Sequence, residues 1–134
     1  MTDGIEESKG KSTAFVAVVD DDESMREATE SLLKSVGFRT AIFASAHDFL
    51  KAGGELKPDC LILDVRMPGM SGIELQKRLI AENRDISIVF LSAHSERGSR
   101  EKALAAGAID FLAKPFNEDS LLKAVKVAIE RKEN

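Results

Sequence analysis

Apolar runs and helical patterns alternate five times along the chain, and this alternation is typical of a parallel sheet with a helix after each strand. The runs that predict strands are residues 15–19, 38–44, 60–63, 86–91 and 108–112. Each run is followed by a segment whose apolar residues recur at helical spacing. The pattern therefore predicts an α/β fold.

Short polar signals mark the ends of several helices. Gly37 is typical of a left-handed residue that ends a helix, and Ser71 and Glu74 have the spacing of a capping box that begins one. Helical spacing also predicts a helix over about residues 95–106 and a last helix over about residues 118–131.

The composition of the strands predicts their order in the sheet. The first and third runs are continuously apolar, as strands covered on both faces must be. The second run contains Arg39 and Thr40, and the fifth is short and contains Asp110, so both suit the edges. We therefore predict a five-stranded parallel sheet in the order 2-1-3-4-5, flanked by five helices.

Composition and charge narrow the class of protein. The chain has 134 residues, of which 43% are hydrophobic and 31% charged, so we expect one folded domain. The formal charge of −4 gives no electrostatic reason to bind nucleic acid or an anionic membrane, and no apolar stretch is as long as a membrane span. The single cysteine, Cys60, lies in an apolar run, and we interpret it as a buried thiol in a reducing cytoplasm.

Polar residues stand where several predicted strands end. Strand 1 ends in the acidic residues 20–23, strand 3 in Asp64 and strand 4 in Ser92, while Lys114 and Pro115 follow strand 5. A sheet of this order binds ligands beyond the carboxyl ends of its strands, where the strand order reverses, which here is between strands 1 and 3. We therefore expect several carboxylates, one hydroxyl and one ammonium group at a single rim.

The chemistry of these groups indicates phosphoryl transfer. Neighbouring carboxylates repel one another, so a cation is needed to keep them all ionised. Oxygen ligands suit Mg²⁺, whereas Zn²⁺ is disfavoured because the chain lacks a set of cysteine and histidine ligands. A carboxylate can attack phosphorus to form an acyl phosphate, while the cation, the ammonium group and the hydroxyl meet the added negative charge.

Four segments resemble the receiver domain of bacterial two-component response regulators, and they are residues 18–21, 63–72, 90–93 and 111–116. The resemblance spans about residues 14–131, and segments 64–72 and 105–111 are most similar to the FixJ-type branch. It implies a flavodoxin-like receiver fold. The domain would comprise residues 13–134, after a flexible polar tail at residues 1–12.

The resemblance also implies a role for the acidic residues. Asp64 would accept the phosphoryl group from a phosphohistidine of a sensor histidine kinase or phosphotransfer protein. Asp21 and Asp64 would bind Mg²⁺, or Mn²⁺ in its place, through their side chains, with help from Asp20 and from the backbone carbonyl of Arg66. From the residues alone, Asp22 is an alternative to Asp21, because the acidic run is long.

Further roles follow from the same resemblance. Ser92 and Phe111 match the switch pair, in which the hydroxyl turns toward the phosphoryl group and the ring fills the space it leaves. Lys114 would pair with the phosphoryl group, and the bond from Lys114 to Pro115 is expected to be cis. Arg66 and His94 flank the site, and we hypothesise that they affect the lifetime of the phosphorylated state.

The resulting expectation is a signalling module and not an enzyme. It would catalyse its own phosphorylation and dephosphorylation, turn over no external substrate, and form a phosphorylation-dependent homodimer through helix 4, strand 5 and helix 5. We expect no direct contact of this chain with nucleic acid. Two alternatives are a haloacid-dehalogenase-like phosphohydrolase, which would have an acid in place of Arg66, and a constitutive pseudo-receiver, which needs none of the site residues.

Overall fold

The computed structural model describes residues 14–93 and 98–133, and within them strands and helices alternate strictly. The elements are β1 (Phe15–Val19), α1 (Glu23–Ser35), β2 (Arg39–Phe43), α2 (Ala46–Lys51), β3 (Cys60–Asp64), α3 (Gly72–Ala81), β4 (Ile88–Ser92), α4 (Ser99–Ala105), β5 (Asp110–Ala113) and α5 (Glu118–Glu133). The strands pair in parallel in the order β2-β1-β3-β4-β5. The predicted fold class and strand order are confirmed. The predicted tail at residues 1–12 lies outside the described residues.

The burial of the strands follows their composition. Every residue of β3 and β4 is buried, whereas β2 and β5 are partly exposed, as the two edges of the sheet. Because successive side chains of a strand point to opposite faces, the core divides into two layers. Phe49, Leu75 and Leu79 cover one face, and Leu33, Leu121 and Val125 cover the other. Cys60 is fully buried, as expected.

The structure corrects the predicted starts of the last two strands. β4 begins at Ile88, two residues later than expected, and Ile86 packs against the core from the preceding loop. β5 begins at Asp110, because the Ala108 N–H donates to the Ala103 carbonyl oxygen at 3.0 Å and so belongs to the turn that ends α4. This bond is part of the local cap that ends α4 at Gly107, whose φ is +105°, and the apolar pattern does not distinguish a capping residue from a strand residue.

The ends of two helices also differ from the prediction. α4 begins at Ser99 and not near residue 95, since Gly98 has a φ of +89°, outside the helical region. Residues 94–97 lie outside the described part of the chain. α5 continues to Glu133, two residues beyond the predicted end. None of the helices in residues 14–93 and 98–133 has the length and apolarity needed to cross a membrane.

The start of α3 is held tightly against the end of β3. The predicted capping box is present, since the Ser71 hydroxyl accepts from the Glu74 N–H and the Glu74 carboxylate accepts from the Ser71 N–H. The Gly72 N–H donates to the Val65 carbonyl oxygen at 2.8 Å. A Cβ atom at Gly72 would lie 2.1 Å from the backbone oxygen of Asp64. Only glycine therefore allows the helix to begin this close to the end of the strand.

We expect Gly72→Ala to lower the free energy of unfolding by about 1–3 kcal/mol, the usual cost of forcing extra atoms into a packed site. The cost arises because the added methyl group meets backbone atoms of β3, which cannot rotate away. Urea denaturation measures it. Gly54→Ala is the matched control, since a Cβ there meets no atom within 4 Å. Equal losses in the two variants would contradict this account.

Candidate functional site

The carboxyl ends of the strands meet at one rim of the sheet, because neighbouring strands are parallel. Asp20 directly follows β1 and Asp64 ends β3. Asp20, Asp21 and Asp64 each offer a carboxylate oxygen, and these oxygens lie within 4.8 Å of one another. Asp20 and Asp64 are only 2% and 6% exposed, whereas Asp21 is exposed. The rim thus brings together the three carboxylates that sequence singled out.

Lys114, which directly follows the edge strand β5, forms ion pairs with two of these carboxylates. Its Nζ lies 2.9 Å from Asp20 Oδ2 and 3.3 Å from Asp64 Oδ2, and its side chain is only 8% exposed. The Lys114 N–H donates to the Ser92 carbonyl oxygen at 2.9 Å, which holds the end of β5 against the end of β4. The peptide bond from Lys114 to Pro115 is cis, as predicted.

Burial and neighbouring charges both affect the ionisation of Asp64 and Lys114. Burial raises the pKa of Asp64 to about 7, and the negative charge of Asp20 adds to this effect, while Lys114 opposes it. Burial alone would lower the pKa of Lys114, but its bonds to Asp20 and Asp64 more than offset this and hold the pKa above its ordinary value. Lys114 therefore stays charged, whereas Asp64 without a cation is partly protonated near neutral pH.

Asp20 is anchored through its side chain and its backbone. Asp20 Oδ1 accepts from the Asp22 N–H at 2.9 Å, and the Asp20 N–H donates to the Phe43 carbonyl oxygen at 3.1 Å. The Asp20 carbonyl oxygen accepts from Arg26 Nη1 at 2.7 Å. The side chain of Asp22 instead caps α1, accepting from the Met25 N–H at 3.2 Å. This arrangement favours Asp21 over Asp22 as a ligand, as the resemblance implied.

The three carboxylates fit a small divalent cation. Mg²⁺ takes oxygen ligands and is usually bound by one or two carboxylates together with water. Asp20, Asp21 and Asp64 supply only oxygen, and their separation of at most 4.8 Å allows one ion to contact more than one of them. Arg66 lies in the loop after β3 with an exposed side chain, and the role of its carbonyl stays a prediction.

The residues of the predicted switch pair lie on neighbouring strands. Ser92 ends β4 and is 5% exposed, and Phe111 in β5 stands opposite Phe90. The rings of Phe90 and Phe111 are 5.7 Å apart, so the ring of Phe111 packs against the core. A movement of this pair stays a prediction. His94 lies outside the described residues.

The sequence did not predict three polar contacts that the structure shows. Arg26 reaches the Asp20 carbonyl oxygen, and Arg100 Nη1 in α4 donates to the Phe111 carbonyl oxygen at 2.8 Å. The buried Gln76 donates to the Ala103 carbonyl oxygen at 3.0 Å, which joins α3 to α4. One signal was available in the sequence: Arg26 is a basic residue near the start of a helix, where acidic residues are favoured.

The family model of the response regulator receiver domain matches residues 16–126. This chain belongs to the response regulator receiver domain family. It is therefore the receiver domain of a two-component response regulator, a signalling domain. Receiver domains of this kind interact with histidine kinases and use Mg²⁺ at an acidic pocket, and the carboxylates of Asp20, Asp21 and Asp64 form an acidic cluster at the rim.

Known relatives agree with this assignment. The receiver domain is 46% identical over 125 residues to the response regulator protein TmoT of Ectopseudomonas mendocina, covering 90% of this chain and 57% of the relative. It is 40% identical over 118 residues to the transcriptional regulatory protein FixJ of Bradyrhizobium diazoefficiens, covering 88% of this chain and 58% of the relative. The structure of the response regulator StyR matches with a TM-score of 0.82 and 46% identity, covering 90% of this chain and 63% of that one.

These similarities confirm the predicted family, with FixJ among the relatives. Neither the phosphohydrolase nor the pseudo-receiver alternative finds support in them. The receiver domain spans about half the length of the curated relatives it matches.

We expect the metal-free Asp64→Asn variant to gain thermal stability over the wild type as the pH rises. In the fold the pKa of Asp64 is raised from 3.8 to about 7, so the folded state favours the protonated carboxyl group. The contribution of that group to stability is fully present below about pH 4 and is lost as the pH rises through about 7. Asparagine does not titrate, so the melting temperatures should diverge across this window in a chelating buffer.

Glu27→Gln is the control, because it removes an exposed carboxylate from the middle of α1 and should follow the wild type at every pH. Added Mg²⁺ should raise the melting temperature of the wild type more than that of Asp64→Asn, since a ligand of the folded state stabilises it. A constant difference between the wild type and Asp64→Asn over the whole window would contradict the raised pKa.

Proposed function

We propose that Asp64 is the phosphoacceptor of this receiver domain and takes its phosphoryl group from the phosphohistidine of a histidine kinase or phosphotransfer protein. One observation carries the proposal: the Asp64 carboxylate lies beside two further carboxylates and 3.3 Å from the Lys114 ammonium group, on the strand next to the one that ends in Ser92. Phosphoryl transfer needs a nucleophile, a positive charge and a bound cation close together. Asp64 offers the nucleophile, Lys114 the charge, and the neighbouring carboxylates the ligands for a cation.

In the proposed reaction, an oxygen of the ionised Asp64 carboxylate bonds to phosphorus while the bond from phosphorus to the donor imidazole nitrogen breaks. The electron pair leaves with that nitrogen, which takes up a proton. The phosphoryl group brings about two negative charges. Lys114 can meet part of this charge, because its ammonium group already lies within 3.3 Å of Asp64. The hydroxyl of Ser92, at the end of the neighbouring strand, is the proposed hydrogen-bond donor.

Asp20, Asp21 and Asp64 are the proposed ligands of Mg²⁺, or of Mn²⁺ in its place, with the Arg66 carbonyl as a further ligand. A bound divalent cation would offset the repulsion among the carboxylates and help to neutralise the charge of the transferred group. Asp21 is the exposed member of the three and the natural point of entry for an ion.

The proposed output is a change at the face formed by α4, β5 and α5. Phe111 connects this face to the site, because its strand leads directly to Lys114 and its carbonyl oxygen is bonded to Arg100 of α4. A phosphoryl group that attracts Ser92 and Lys114 supplies the difference in contacts that a two-state switch requires. In this proposal the domain phosphorylates and dephosphorylates itself and turns over no external substrate.

The relatives extend the proposal to a longer protein. FixJ is named a transcriptional regulatory protein, and this chain matches 58% of it. We infer that the receiver domain controls an output domain with a role in transcription, while the receiver itself does not contact DNA. The cytoplasmic location expected from the sequence stays a prediction.

Incubation with a small phosphodonor and Mg²⁺ should add one phosphoryl group to the wild-type chain and none to Asp64→Asn, as measured by intact mass. The reason is that Asp64 combines burial, a neighbouring ammonium group and neighbouring cation ligands, and, unlike the similarly buried Asp20, it lies on the strand next to the one that ends in Ser92. Asp119→Asn is the matched control, since it makes the same change at an exposed aspartate of α5 and should leave the modification intact. Modification of both the wild type and Asp64→Asn, or of neither, would refute the central proposal.

A stable phosphoryl mimic should shift the wild type toward a dimer in sedimentation velocity, if the face formed by α4, β5 and α5 associates with a second copy. Val127 of α5 is 47% exposed and offers apolar area for this contact. We expect Val127→Lys to weaken the dimer, whereas Ile80→Lys, at an exposed position of α3, should not. A monomer both with and without the mimic would contradict the proposed dimer.

A further inference from the structure

Arg26 is a basic residue near the start of α1, where a positive charge does not stabilise the helix. It is the fourth residue of α1, and the start of a helix carries a partial positive charge that disfavours cations. The preceding residues follow the usual preference, with Asp22 as the cap and Glu23 in the first turn. Arg26 is partly buried there, and its Nη1 donates to the Asp20 carbonyl oxygen at 2.7 Å. The acceptor of this bond belongs to Asp20, one of the three clustered acidic residues.

The carbonyl that Arg26 contacts belongs to the peptide group joining Asp20 to Asp21. A peptide group is planar, so a bond that holds its oxygen also limits the direction in which the next residue leaves it. The carboxylate of Asp20 is held separately, by Lys114 and by the Asp22 N–H. Asp21 is exposed, and the position of its carboxylate depends more on the backbone beneath it.

We propose that Arg26 is a positioning residue for the divalent cation site, acting through the Asp20–Asp21 peptide group to hold the Asp21 carboxylate toward Asp64. This inference rests on the proposed function, because the cation is the one that would assist Asp64. It adds a residue of α1 to a site otherwise built from the ends of strands.

The two physical effects of Arg26 on a bound cation have opposite signs. Its positive charge near the carboxylates repels a cation, so loss of the charge alone would strengthen binding. Its hydrogen bond orders the backbone of the site, so loss of the bond would weaken binding, as loss of groups that orient metal ligands usually does. The direction of the change in affinity therefore separates positioning from simple electrostatics.

The test is the affinity for Mn²⁺, measured from the electron paramagnetic resonance signal of the free ion, for the wild type, Arg26→Met and Arg26→Lys. Arg26→Met keeps an extended side chain but lacks both the charge and the donor, and we expect it to bind roughly tenfold more weakly. Arg26→Lys keeps the charge and one donor, so its affinity should lie between the other two. Intrinsic fluorescence of tryptophan or tyrosine is not an option, because the chain has neither residue.

Arg100→Met is the matched control. Arg100 is also an arginine near the start of a helix that donates to a backbone carbonyl oxygen, at 2.8 Å, but its partner Phe111 is not one of the acidic residues. We expect this variant to bind Mn²⁺ as the wild type does. An equal loss in Arg26→Met and Arg100→Met would overturn the inference, as would an Arg26→Met affinity equal to or above that of the wild type.

Two further measurements separate a loss of cation affinity from a failure to fold and from a failure of the proposed function. Thermal unfolding in a chelating buffer shows whether Arg26→Met folds, and if it does not, Arg26→Lys carries the test, with wild-type affinity as the refuting result. Asp64→Asn separates this inference from the proposed function. If the wild type binds Mn²⁺ no better than Asp64→Asn, both fail, whereas a clear difference between those two with unchanged binding in the Arg26 variants refutes only the role of Arg26.

Discussion

The pair of contacts from Lys114 to Asp20 and Asp64 is the interaction on which the rest of the site depends. Two buried carboxylates this close would repel each other strongly without a positive charge between them. The Lys114 ammonium group lowers this repulsion, but burial, together with the charge of Asp20, still raises the pKa of Asp64 to about 7. A bound divalent cation would therefore reduce the repulsion between the carboxylates, and a change in the charge of Asp64 would change its attraction to Lys114.

The geometry of the backbone makes such a cluster possible. Parallel strands deliver their carboxyl ends to one rim, so residues distant in sequence become neighbours with no special loop to carry them. Close packing of α3 against β3 then fixes the direction of the last strand residue, because the Gly72 position leaves no room for a side chain beside the Asp64 carbonyl oxygen. The position of Asp64 is thus set by backbone packing, and its ionisation by burial and by the charges around it.

The parts of this structure that sequence predicts are those with a local cause. Apolar strands that must be covered on both faces, the capping box at Ser71 and the acidic end of β1 can all be recognised within a few residues, and the strand order follows from them. The predicted start of β5 was wrong although its cause is also local, because the apolar Ala108 belongs to the cap that ends α4 at Gly107. The contacts of Arg26 and Arg100 were also missed, since a long charged side chain on a helix is usually solvated and its partner is a backbone oxygen.

The contacts of Lys114 and Arg100 connect Asp64 on the central strand to β5 at the edge of the sheet, so a change of charge at Asp64 would alter the contacts of β5. Lys114 is shared between Asp20 and Asp64, and its backbone N–H holds the end of β5 to Ser92. A phosphoryl group on Asp64 would draw the ammonium group and the Ser92 hydroxyl toward the same point, and so would act on both strands at their junction. Phe111 lies three residues before Lys114, and its carbonyl oxygen is bonded to α4 through Arg100. Because Lys114 contacts both Asp64 and the end of β4, the proposed switch needs no motion of the buried strands, only a new balance of contacts at the end of β5.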